Sequence, residues 1–337
     1  MKHINIPIFI PHLGCPNQCI FCNQRFISGN EAFDINTVEL EILKVLSTVN
    51  SDDICEIAFF GGSFTGIDRE LMIELLNIAQ KFVNLGLVSG IRMSTRPDYI
   101  SKEIIDILQK FSVNVVELGI QTMNNDILKY LKRGHTVEDT INAINLLNEA
   151  KIPFIGQMMV GLPKSTPEDE LFCAKRICEL GASGTRIYPT LVFKMTELEE
   201  ITNKNEYTPL SIEEAISRSA SVLNIFCQFN VPCIRIGLCD SDNLHSSDTF
   251  VAGPNSPSIG EMVKSRLFYN IICEKLRKIE GTDIIIECAK GKTSQIIGNK
   301  KENIHKLRKK YNLNIVKVIE NSILNEFDIT IKKKEEA

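Results

Sequence analysis

An α/β architecture is the prediction for this 337-residue chain: a partial (β/α)6 barrel followed by a small α+β domain. Two features of the sequence carry it. Between residues 4 and 236, six short runs rich in β-branched and aromatic residues alternate with amphipathic segments of helical spacing. Beyond residue 240 the alternation stops, and the composition turns first polar and then basic. Alternating strand and helix implies parallel strands joined by right-handed crossovers. Six such units fit a partial barrel; a doubly wound open sheet fits the same pattern. In both, ligands gather at the carboxyl ends of the strands, so function is sought in the loops that follow them.

The predicted strands are residues 4–10, 55–60, 90–95, 114–119, 154–160 and 184–188. Their near-continuous apolar content is that of strands buried on both faces. Helix starts are marked between them. Thr136 precedes Asp139, and Ser211 precedes Glu214, at the spacing of a capping box. Thr166-Pro167-Glu168-Asp169 places proline at the first helical position and acids in the first turn, where the helix dipole favours them. Residues 239–257, rich in Ser, Asp, Asn, Gly and Pro, read as a loop over the barrel, and residues 258–277 as a helix. The tail reads as strand 283–288, helix 293–297, a Gly-Asn-Lys-Lys turn, helix 302–311 and strands 314–319 and 327–331. The expected division is therefore a core domain over 1–240, a connecting loop and helix over 241–280, and a basic α+β domain over 281–337.

A hydrophobic content of 44% and a charged content of 24% are those of an ordinary globular protein. No apolar run approaches the roughly eighteen residues of a membrane span. The opening Met1-Lys2-His3-Ile4-Asn5-Ile6-Pro7 lacks the apolar stretch of a secretory signal. A cytoplasmic protein with no membrane partner is expected. Of 11 cysteines, three crowd into residues 15–22 and the rest are scattered, which suits one metal site in a reducing compartment rather than a disulfide scaffold. Residues 289–337 hold 12 Lys and Arg against 6 Asp and Glu, whereas the preceding residues hold 26 against 36. An acidic body with a basic tail points to a separate element that meets a polyanion.

Cys15-Pro-Asn-Gln-Cys19-Ile-Phe-Cys22 follows the first predicted strand and presents three thiols spaced x3 and then x2. Thiolates are soft ligands suited to iron–sulfur clusters and to zinc. Three of them can wrap one face of a cubane and leave its fourth iron open. Structural zinc prefers four protein ligands, and His12 is the candidate for the fourth. Position favours the cluster, because the end of the first barrel strand is an active-site mouth and not a stabilising corner. Cys227, Cys233 and Cys239, spaced by six, read as buried free thiols. Met158 and Met159 read as core, and Glu117 and His135 as structural.

The same motif, with aromatic Phe21 before the third cysteine, resembles the signature of the radical SAM superfamily. From residue 8 to about residue 244 the chain resembles the subgroup around the catalytic subunit of Elongator and, more loosely, the oxygen-independent coproporphyrinogen oxidases. The stretches that carry this are Phe9-Ile-Pro-His-Leu-Gly-Cys15, Phe59-Phe-Gly-Gly-Ser-Phe-Thr65, Ser94-Thr-Arg-Pro-Asp-Tyr99, Val116-Glu-Leu-Gly-Ile-Gln-Thr122, Lys132-Arg-Gly-His-Thr136, Met159-Val-Gly-Leu-Pro163 and Arg186-Ile-Tyr-Pro-Thr-Leu191. The resemblance implies a TIM-like partial barrel whose Cys15, Cys19 and Cys22 hold a [4Fe-4S] cluster beside S-adenosylmethionine. It further implies that Gly61, Gly62 and Ser63 meet the amino group of that cofactor, and that Ser94 and Gln121 meet its ribose or carboxylate. Arg133 is implied to pair with the carboxylate, a geometry that guanidinium suits. Gly161 and Leu162 are implied to flank the adenine. The implied reaction is reductive cleavage of the sulfonium to a 5′-deoxyadenosyl radical that abstracts hydrogen, fed by an external one-electron donor of the flavodoxin or ferredoxin type.

The tail over residues 289–307 resembles a KH RNA-binding module, whose G-x-x-G loop clamps nucleic-acid backbone. Here the loop is Gly298-Asn-Lys-Lys301, with Lys300 and Lys301 placed to meet phosphate and the second glycine absent. No stretch after residue 240 matches the acetyltransferase half of the Elongator subunit, so acetyl transfer is not expected. Three readings follow: a radical SAM enzyme acting on RNA, with tRNA the expected partner; the same enzyme on a porphyrin-like or other small molecule; and a zinc-containing RNA-binding protein.

Overall fold

The computed structural model describes residues 2–10, 15, 19–23, 33–50, 52–239, 246–279 and 281–333. Its strands are β1 (His3–Phe9), β2 (Ile54–Phe60), β3 (Gly90–Thr95), β4 (Val113–Gln121), β5 (Phe154–Val160), β6 (Gly184–Pro189), β7 (Val192–Phe193), β8 (Cys233–Ile236) and β9 (Phe250–Ala252), with β10 (Asp283–Cys288), β11 (Ile315–Glu320) and β12 (Ile329–Lys333) in the tail. Seven of them form one sheet in the order β1-β2-β3-β4-β5-β6-β8, every pair parallel. Sequential neighbours all pair, with no reversal of strand order. This is the curled half-barrel and not the doubly wound sheet, since the latter reverses direction at a switch point. The seventh strand, β8, extends the six that were expected. At four residues it is short for a strand signal.

The helices form where their caps predicted. Thr136 and Asp139, Thr166 and Asp169, and Ser211 and Glu214 all make reciprocal capping boxes, starting helices Val137–Glu149, Pro167–Glu179 and Ile212–Gln228. These helices bury one face of the sheet. Ile6, Ile57, Phe59, Ile91, Met93, Val116, Leu118 and Met158 alternate along the strands into a single apolar core. The other face departs from the expectation of strands apolar on both sides. There Asn5, Glu56, Arg92, Glu117, Gln157 and Arg186 form a continuous polar layer across β1 to β6. Arg92 reaches Asn5 at 3.0 Å and both Glu56 and Glu117 at 3.3 Å. Glu117 also accepts from Gln157 at 2.9 Å and Arg186 at 2.8 Å. Buried charges persist only when paired and hydrogen-bonded. The layer meets that condition strand by strand and fills the floor of the half-barrel.

The loop expected over residues 239–257 contains a short strand: β9 pairs antiparallel with β7. Residues 240–245 lie outside the described residues. Helix Ile259–Leu276 then joins two cores. Ile259, Val263 and Leu267 pack into the barrel core. Phe268, Ile272, Cys273 and Leu276 pack into a second core with Ile284, Ile286, Ile296, Leu307 and Ile329. The tail is α+β, in the order strand, helix, helix, strand, strand. Central β10 runs parallel to β11 and antiparallel to β12.

Candidate cluster and cofactor site

Two of the three predicted cluster ligands meet predicted cofactor residues at the carboxyl end of the sheet. Ile10 closes β1 by donating its N–H to the Phe60 carbonyl at 2.7 Å. The chain turns there at Gly61, whose φ is +96° and whose absent Cβ would stand 3.2 Å from Ile10 N. Only glycine lets the two backbones approach so closely without strain. Beyond it, Ser63 is buried and its Oγ lies 3.3 Å from Cys15 Sγ. Stacked rings of Phe59 and Phe64, 4.4 Å apart, hold the turn from below.

Cys19 is buried, and its sulfur accepts from Arg133 Nη1 at 3.3 Å. Arg133 Nη2 donates to the Gly119 carbonyl at 2.8 Å, while its Nε is buried without a partner. That leaves the Nε–H for a carboxylate, with neither of the two contacts displaced. Gln121, with φ +66°, sits in the left-handed region after a register shift in β4, which turns its side chain back over Gly119. A Cβ on Gly119 would stand 3.0 Å from both Gln121 Nε2 and Arg133 Nη2. Gly119 is thus required for both predicted residues to converge, and the sequence reading passed over it. The cysteine segment is pinned by Ile20 N–H to the Leu131 carbonyl at 3.2 Å and by Leu198 N–H to the Ile20 carbonyl at 2.8 Å.

Ser94 lies on β3, and the 161–162 turn follows β5. Ser94 pairs with Glu117 in the sheet, and its hydroxyl is 3.4 Å from Gln157 Nε2, so it caps the polar floor. Gly161, with φ +79°, is clamped on both sides: its N–H donates to Glu170 at 2.6 Å, and its carbonyl accepts from Tyr207 at 2.6 Å. Arg218 in turn holds Glu170 at 2.6 and 2.9 Å. Burial raises the Glu170 carboxyl pKa; Arg218 and the Gly161 amide oppose the rise. Leu162 is buried beside Ile20, Leu131 and Leu198, so its side chain anchors the turn to the cysteine segment. Glu170 and Tyr207 were invisible as site residues because their role is to hold backbone, which leaves no motif.

Two further basic residues complete the surroundings. Arg96 is 2% exposed and chelates Asp98 through Nε at 2.9 Å and Nη2 at 2.7 Å. Burial opposes its charge, but Asp98 and the Cys19 and Cys15 sulfurs outweigh that and keep it firmly protonated. His135, read as structural, is buried with neither ring nitrogen in a well-formed hydrogen bond. Burial, reinforced by Arg133 and Arg96, pushes its pKa down to about 3, and the nearby Ile120 backbone opposes this only weakly.

This donor set fits an iron–sulfur cluster. Soft thiols are the donors such a cluster takes, and buried Cys19 is already held by the Arg133 guanidinium at 3.3 Å. Among the described residues no three His, Cys, Asp or Glu side chains converge on a single ion. Thiolates on a cubane each bind a different iron and need not meet at a point. His12, the fourth zinc ligand considered above, lies outside the described residues. Of the remaining cysteines, Cys227 and Cys233 are half-buried, with thiol pKa values pushed up to about 12 and about 11 by burial. Cys239 is exposed, which corrects its reading as a buried thiol: β8 ends three residues earlier, and the chain has left the core.

At the tail turn, Gly298 has φ +76°, and Lys300 and Lys301, both exposed, take φ +49° and +64°. Buried Asn303 braces the turn by donating to Ile296 O at 3.1 Å and Ser265 Oγ at 3.0 Å. A Cβ on Gly298 would meet Asn303 at 3.0 Å, which accounts for glycine there.

Comparison with known proteins places the chain in a family. Residues 9–174 match the model of the radical SAM superfamily, and residues 182–268 match the radical SAM C-terminal domain. An uncharacterised protein of Methanocaldococcus jannaschii is 32% identical over 228 residues, 64% of this chain and 70% of that one. A tRNA uridine(34) acetyltransferase of the same organism is 42% identical over 127 residues, 37% of this chain and 24% of its own length. Elongator complex protein 3 of Saccharomyces cerevisiae is 27% identical over 204 residues, 55% of this chain and 36% of its own length. The chain thus spans between a quarter and a little over a third of those two relatives. Among solved structures, the archaeal Methanocaldococcus infernus Elp3 superposes with a TM-score of 0.63 at 26% identity, covering 81% of this chain and 63% of that one. Streptococcus suis SuiB bound to S-adenosylmethionine shares the fold, with a TM-score of 0.52 at 15% identity over 73% of this chain and 53% of that one. On these matches the chain belongs to the radical SAM superfamily and is an enzyme whose cofactors are a [4Fe-4S] cluster and S-adenosylmethionine.

Proposed function

We propose that Cys15, Cys19 and Cys22 hold the cluster, that Gly61, Gly62, Ser63, Ser94, Gln121, Arg133, Gly161 and Leu162 surround the S-adenosylmethionine, and that the substrate is RNA, specifically tRNA. One observation carries the reading of the site: Arg133 bridges Cys19 Sγ at 3.3 Å and the Gly119 carbonyl at 2.8 Å, tying the cysteine segment to the end of β4. When bound, the cofactor pair supplies reductive cleavage of the sulfonium and a 5′-deoxyadenosyl radical for hydrogen abstraction, with electrons from a flavodoxin- or ferredoxin-type donor. The chain's own residues orient and exclude: bare backbone at Gly61 lets the end of β1 close on the turn that carries Ser63, Arg133 supplies charge for a carboxylate, and the buried floor under Ser94 keeps solvent out.

The tRNA substrate is supported by the relatives named for tRNA uridine(34) modification and by the tail turn, where Lys300 and Lys301 stand exposed beside Gly298. The same reading divides the chain at 1–240, 241–280 and 281–337, with the basic C-terminal unit reading RNA. Both division points lie outside the described residues or beside them.

Anaerobic reconstitution with iron and sulfide tests the cluster. A broad visible absorbance and 5′-deoxyadenosine release on reduction are expected, both abolished by Cys19→Ala; stoichiometric zinc with neither signal would establish the RNA-binding alternative. For the substrate, the Lys300→Glu, Lys301→Glu double variant is expected to weaken tRNA binding in a salt-dependent manner. Unchanged binding, together with a normal tRNA nucleoside profile in a deletion strain, would point to a small molecule.

A further inference from the structure

Arg96 follows β3 directly and is clamped in place. Two of its three guanidinium nitrogens are fixed by the Asp98 carboxylate at 2.9 and 2.7 Å, and the group lies over the Tyr99 ring, 5.6 Å from its centroid. Its third nitrogen, Nη1, is buried and has no acceptor. A buried charged donor left unpaired costs more than a neutral one. The clamp prevents Arg96 from turning to find a partner elsewhere. Arg96 follows Thr95, whose hydroxyl meets that of Thr65 at 2.7 Å, two residues past the Ser63 hydroxyl that lies 3.3 Å from Cys15. Arg133 bonds directly to Cys19.

We infer that Arg96 is a positioning residue for the cluster, its clamped Nη1–H donating to the sulfur shell that Cys15 and Cys19 begin and so raising the reduction potential. The physical basis is general. Reduction adds an electron that resides largely on iron and sulfur, and a fixed cationic donor to sulfur stabilises the reduced form more than the oxidised one. Asp98 acts at one remove: it takes no part in the contact but fixes the angle at which Nη1 emerges. The inference rests on the proposed ligation by Cys15, Cys19 and Cys22.

The test is a potentiometric titration of the anaerobically reconstituted protein, followed by electron paramagnetic resonance, with iron and sulfide content measured on each sample. Arg96→Gln is expected to carry the cluster and to lower its equilibrium constant for reduction about tenfold, a shift of about 59 mV to more negative potential. Arg96→Lys, which keeps the charge without the fixed fork, should fall between. Should Arg96→Gln fail to load, Arg96→Lys decides alone. Loaded variants with the parent potential would overturn the inference and leave Arg96 as a purely structural residue, seen only in the melting temperature. Failure of the ligation itself would read differently, since the parent protein would then hold no cluster to titrate.

Discussion

Replacing Gly161 by alanine probes the most constrained backbone at the site. The residue has φ +79°, and a Cβ there would stand 2.6 Å from Leu210 Cδ1 and 2.8 Å from Leu210 Cγ. Two costs add. The left-handed conformation costs an alanine about 1–2 kcal/mol, and overpacking against Leu210 costs about 1–3 kcal/mol. The turn cannot relax to avoid them, because Glu170 and Tyr207 hold the Gly161 N–H and carbonyl at 2.6 Å each. Gly161→Ala should therefore lower unfolding free energy by about 2–5 kcal/mol in total, read from urea melts at constant m-value. The steric part is separable. In a Gly161→Ala, Leu210→Ala double variant the clash disappears, so the two changes should couple by about 1–3 kcal/mol in the cycle, leaving the backbone strain. Equilibrium dialysis with S-adenosylmethionine supplies the functional readout: because the turn flanks the proposed adenine position, affinity should fall in the single variant and recover in part with Leu210→Ala. A single variant as stable as the parent, or a cycle with no coupling, would refute the reasoning.

Two other outcomes follow from buried charge. Glu117 is 1% exposed and joins Arg92, Gln157 and Arg186, so Glu117→Gln takes a carboxylate from two buried guanidinium groups, of which Arg92 keeps Glu56, and should cost about 3–5 kcal/mol of stability by denaturant melt; a loss under about 1 kcal/mol would mean that the floor is hydrated and not a closed network. His135 stays neutral in the fold with a pKa of about 3, whereas the unfolded chain protonates it near 6.5. The unfolded state thus binds the extra proton, and stability falls as pH drops below about 6.5 and continues to fall towards about 3. Between pH 7 and pH 5 this residue should cost about 2 kcal/mol. His135→Asn should remove that slope, and a parent whose melts do not distinguish the variant over this range would show the imidazole to be hydrated.

Local signals and global placement were legible to different degrees. The capping boxes at Thr136, Thr166 and Ser211 formed as their spacing dictates, because each is closed by atoms three residues apart. The cysteine spacing, the glycines at 61 and 161 and the tail order were legible for the same reason. Charge pairing was not. Glu117 gives no hint in sequence that its partners stand on β3, β5 and β6, since parallel strands bring together residues dozens of positions apart only through register. β8 was faint because a four-residue strand offers too few alternations to stand out.

By itself, then, the sequence determined the elements, their parallel arrangement and the thiol cluster that identifies the chemistry, since each of these is written within one turn, one strand or one motif. Only the tertiary structure chose the half-barrel over the open sheet, brought Arg133 from beyond β4 onto Cys19, and left the Arg96 Nη1 buried without an acceptor. Those are matters of long-range proximity and desolvation, and burial is a property that no single stretch of chain possesses until the others have closed over it.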